Sequence, residues 1–66
     1  MWIAIMVVRG EERANCAVEA LEREGIPAKK WPVFKSQVDG AGEYELRVLA
    51  SEADEALELL IREGIR

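Results

Sequence analysis

The chain opens on an unbroken apolar run, Trp2-Ile3-Ala4-Ile5-Met6-Val7-Val8, closed by Arg9-Gly10. Its β-branched residues predict a strand, and an apolar strand of this kind is usually covered on both faces. Side chains alternate across a strand, so Ile3, Ile5 and Val7 are expected on one face and Trp2, Ala4, Met6 and Val8 on the other. After Gly10 the period changes. Ala14, Ala17, Val18 and Leu21 recur at helical spacing, Glu11 and Glu12 occupy the first turn, where carboxylates suit the positive end of the dipole, and Gly25 follows the end. This predicts a first helix over residues 11–24.

The segment Ile26 to Phe34 reads as extended. Pro27 and Pro32 place it at a sheet edge, because proline donates no ladder hydrogen bond. Residues 35–43, with Asp39-Gly40 and Gly42, read as a hairpin loop that is long for its class. Tyr44, Leu46, Val48 and Ala50 alternate with Glu45, Arg47 and Leu49, the pattern of a half-buried strand. Ser51 is the expected cap of a second helix, with Asp54 three residues on. Ala53, Ala56, Leu57, Leu60 and Ile61 form its expected buried stripe, and Gly64 ends it. Ala20 and Leu59 fall off the two stripes and suit either edge packing or a subunit contact.

The predicted order is β-α-β-β-α, and it carries an echo: Leu21-Glu22-Arg23-Glu24-Gly25-Ile26 against Leu60-Ile61-Arg62-Glu63-Gly64-Ile65. Two related β-α halves with both helices on one sheet face define the ferredoxin-like α+β plan. A fourth strand would begin at Ile65, and the sequence given stops at Arg66, so that strand is expected to be missing or rudimentary. The first strand would then show a free apolar edge, which folded proteins normally avoid.

Composition narrows the function classes. Sixty-six residues hold one domain, and a domain this small commonly needs a disulfide, a metal or a partner subunit. A single cysteine, Cys16, makes no internal disulfide, and without histidine it makes no zinc site. Homo-oligomerisation is therefore the expected support. The first apolar run is far shorter than the roughly 20 residues a membrane span requires. It lacks a basic leader and a cleavage site, so the reading is a cytoplasmic protein away from membranes.

The net charge of −4 disfavours nucleic acid and anionic membrane surfaces. The helices are acidic, whereas Lys29, Lys30, Lys35 and Arg47 lie on the strands and loop, so the domain is expected to be negative on its helices and positive on its sheet.

Catalytic equipment is not evident. Cys16 is expected to face solvent beside Glu12, Glu19 and Arg23, and there is no histidine to serve as its base. Asp39-Gly40-Ala41-Gly42 lacks the full glycine motif and following helix of a phosphate cradle, so no cofactor is implied. The candidate chemistry lies instead on the sheet's open face, where Trp2 and Met6 are expected beside Trp31, Lys29, Arg47 and Leu49. Tryptophan and arginine are enriched at interface hot spots, so this face suits a dimer, a protein partner or a ligand. RNA-recognition domains share the topology but stack bases on aromatics in both central strands; the third strand here offers Glu45, Arg47 and Leu49.

Two stretches, Ala14 to Ala28 with its Leu-Glu-x-Glu-Gly-Ile-Pro-Ala ending and Val48 to Leu60, resemble a family of small bacterial signal-transducing domains related to the nitrogen-regulatory PII proteins. That resemblance implies a regulatory module and brings no catalytic residue. Gly10 ahead of the helix, with Ala20-Leu21-Glu22-Arg23-Glu24-Gly25-Ile26, is similar to the ligand-binding turn and helix of ACT domains. The usual Asp-x-Pro-Gly is replaced here by Val8-Arg9-Gly10-Glu11. The similarity implies an amino-acid sensor whose turn residues are Arg9, Gly10 and Glu11.

Overall fold

Strand, helix and turn succeed one another in the order the hydrophobic pattern predicts. The computed structural model describes residues 1–34 and 42–65. Strand β1 (Trp2–Arg9) leads to helix α1 (Glu11–Arg23), strands β2 (Ala28–Phe34) and β3 (Glu43–Leu49), one 3-10 turn (Ala50–Glu52) and helix α2 (Ala53–Arg62). The architecture is α+β, a three-stranded antiparallel sheet in the order β1-β3-β2 with both helices packed into one core. Most of the expected 35–43 loop lies outside the described residues.

The core forms where β3 turns Leu46 and Val48 toward the helices. Both are fully buried, as are Leu21 of α1 and Leu60 of α2, and every buried side chain among the described residues is apolar. The α1 side is built from small residues, Ala14 and Ala17, while Ala20 is buried outside the contiguous core cluster, as edge packing expects.

The sequence echo is a helix stop used twice. Ile26 N–H donates to Leu21 C=O (2.9 Å) and Gly25 N–H to Glu22 C=O (3.0 Å); Ile65 and Gly64 repeat the pattern on Leu60 and Ile61, both at 3.0 Å. The glycines adopt φ of 81° and 76°, a left-handed conformation that disfavours a side chain. Each isoleucine folds back toward the leucine whose carbonyl its N–H caps.

Three expectations are corrected. In β1 the register with β3 shifts between Ala4 and Met6, leaving Ile5 as an extra residue. A bulge of this kind resets the alternation beyond it. Ile5 and Met6 both pack on the core, Val8 is buried, and Val7 is turned out. Met6 therefore does not lie on the open face. In α2 the buried residues are Ala56, Leu59 and Leu60, while Leu57 and Ile61 are exposed; the helix is rolled so that Leu59 joins the core. Finally, Ser51 does not cap α2. It sits inside the 3-10 turn, and Glu52, at the N-cap, makes no side-chain capping bond.

The bulge and the roll of α2 each make a contrast that can be measured by urea unfolding. Met6→Lys should destabilise the fold by at least about 2 kcal/mol, because the ammonium is forced toward an apolar layer. Val7→Lys, next to it in sequence, should stay within about 0.5 kcal/mol of wild type. Likewise Leu60→Ala should lose about 2–5 kcal/mol, against no more than about 0.5 kcal/mol for Ile61→Ala.

Candidate interaction surface

The helices cover one face of the sheet, and the register sets what the other presents. Trp2 lies opposite Leu49, Ala4 and Lys29 flank Arg47, and Val7 and Trp31 flank Glu45. These residues form the open face. Lys29 places its Nζ 4.6 Å from the centre of the Trp2 ring, and the Arg47 guanidinium lies 4.9 Å from that of Trp31. Arg47 Nε also donates to Glu45 Oε1 at 2.6 Å. Both tryptophans remain exposed, Trp2 at 37% and Trp31 at 53%. The result is a basic and aromatic patch on rigid strands, its cations held over the rings by attraction to the π-face.

Of the four surface residues expected from the sequence, Trp2, Trp31 and Arg47 come together and Met6 does not. Val7 takes its place, brought out by the bulge. Alternation alone gives no sign of this, because the extra residue is defined by the pairing with β3.

The turn Arg9-Gly10-Glu11 joins β1 to α1. Gly10 has φ 93°, accessible chiefly to glycine; its N–H donates to Gly42 C=O at 2.7 Å and its C=O accepts from Ala14 N–H at 3.1 Å. An open cavity of about 400 Å³ lies beside it, lined by Arg9, Gly10, Glu12, Arg13 and Cys16. Glu11 is not among these. Its carboxylate accepts from Lys30 Nζ at 3.0 Å, and the same ammonium donates to Asn15 Oδ1 at 2.6 Å, tying α1 to β2. Arg9 meets Glu43 at 3.5 Å on the surface, in an exposed pair that contributes little. Cys16 is exposed, as its helix position predicts.

Two further apolar residues were counted as core in the sequence pattern. Leu57 and Ile61, four apart on α2, show 37% and 67% of their surface. A signal for this does exist in the sequence: α2 carries more apolar positions than a single buried stripe accommodates. Among the described residues no group of histidine, cysteine and carboxylate side chains could hold a metal ion, and no helix is long and apolar enough to cross a membrane.

No family model, no curated protein and no solved structure matches this chain.

If the Arg47–Trp31 contact is the exposed stacking described, Arg47→Met should leave unfolding free energy within about 1 kcal/mol of wild type. The same change should make the indole fluorescence more accessible to acrylamide. Unchanged quenching would show that the guanidinium does not cover the ring.

Proposed function

We propose that this chain is a ferredoxin-like, non-enzymatic regulatory or adaptor module that works through protein–protein contacts as a homo-oligomer. The observation that carries the reading is the open face: Trp2, Val7 and Trp31 exposed together on paired strands, with Lys29 and Arg47 stacked on the indoles. Large aromatics with arginine are the residues from which interface hot spots are made, and a rigid sheet holds them without the entropy loss of an ordering loop. The antiparallel order β1-β3-β2 with two helices is compatible with a small ferredoxin-like fold. The resemblance to small bacterial signal-transducing domains adds the regulatory sense of the proposal.

A second reading, an ACT-type amino-acid sensor, is favoured by one observation, the cavity beside Arg9 and Gly10. Two arginines and one glutamate line it, a charge mixture suited to a zwitterion. Glu11, expected in that site, is bound to Lys30 instead.

Light scattering behind size exclusion tests the first reading. The wild type should have at least twice the monomer mass, and Trp31→Ala should shift toward the monomer while its circular dichroism is unchanged. A wild-type monomer at high micromolar concentration would overturn the homo-oligomer. Saturable shifts of the Gly10 and Glu12 amide signals on adding free amino acids would move the assignment to the sensor.

A further inference from the structure

The edge of β1 combines two features that the open-face reading does not use. β1 is the outermost strand, so its outer row of backbone N–H and C=O groups has no strand beside it among the described residues. The other edge, β2, carries Pro32 and two lysines, devices that discourage strand pairing. From Trp2 to Val8 β1 has neither charge nor proline. Over the same edge, α2 packs on β1 with α1 at its side. Buried Leu59 lies on one flank of α2 and exposed Leu57 and Ile61 on the other, the flank that a right-handed β1-α1-β2 crossover turns outward past β1. Backbone groups that call for a strand thus lie below two exposed apolar side chains that would roof it.

We propose that this slot is a β-augmentation site, which takes one extended segment of a partner protein antiparallel to β1, with apolar residues at alternate positions facing Leu57 and Ile61. The inference rests on the interaction-module reading and names the partner's chemistry. The slot is one strand wide and eight residues long, too small for a standard interface between globular surfaces but of the size a linear segment fills. A second copy fits it less well: its β1 has no acidic residue to meet Arg9, and its β2 edge carries Pro32. Charge sets the polarity at one end. The Arg9 side chain is 76% exposed and only loosely paired with Glu43, so the segment's residue beside it should be acidic.

The probe is an amidated eight-residue peptide, glutamate followed by alternating valine and threonine, titrated into ¹⁵N-labelled protein whose mass is measured in the same buffer. Saturable shifts should appear along β1 and at Leu57 and Ile61, with half-saturation near or below about 1 mM. Methylating the edge-facing amides of the peptide should abolish them. Leu57→Lys/Ile61→Lys, both exposed positions, should weaken the peptide at least tenfold with unchanged circular dichroism. Absence of β1 shifts at about 5 mM peptide, or shifts confined to the Trp2 and Trp31 indoles, would overturn the slot. So would β1 amides that become protected with protein concentration alone, which would give the edge to a second copy. A dimer that ignores the peptide removes the slot and keeps the oligomer; a monomer that binds it does the reverse.

Discussion

Everything in this domain is arranged around the burial of Leu46 and Val48 on the middle strand. β3 pairs with β1 on one side and β2 on the other, and its two inward residues are the floor on which both helices rest. A chain of this size has little other apolar area to remove from water, so stability is concentrated at that floor. The bulge in β1 follows from the same demand. Without an extra residue at Ile5, Val8 would face away from the helices and Val7 toward them; with it, Ile5, Met6 and Val8 all pack inward. One irregularity at the edge strand thus serves the core and, by turning Val7 out, also shapes the exposed face.

Much of this was legible in the chain. Local signals specify local structure: the glycine stops of both helices, the acidic first turn of α1 and the edge position of the proline-bearing strand all come out as the residues demand. What was not legible depends on partners distant in sequence. The phase of β1 past Ala4 is set by residues of β3, and the roll of α2, which decides between Leu59 and the pair Leu57 and Ile61, is set by packing against α1 and the sheet. Periodicity narrows a helix to a face. It does not choose between two faces one position apart.

The surface divides in the same way. Trp2, Trp31, Lys29 and Arg47 were placed together by strand parity because they lie where the alternation is intact; Met6 was misplaced because it lies beyond the bulge. The Lys30 link to Glu11 and Asn15 was invisible in sequence, since it joins an edge strand to the start of a helix through the tertiary fold. It also explains why Glu11 faces away from the cavity that its neighbours Gly10 and Glu12 line.

The pairing of β1 with β3 has a consequence for how the chain is made. Arg9 and its cross-strand partner Glu43 are 34 positions apart, and the earlier strand waits for the later one. During vectorial synthesis the most apolar segment leaves the ribosome before the strand that shields one of its edges has been translated. α1 and its glycine stop can form in that interval from local contacts, but they offer β1 no ladder. The nascent first strand is thus the segment most in need of a chaperone, and its exposure ends only when β3 has emerged.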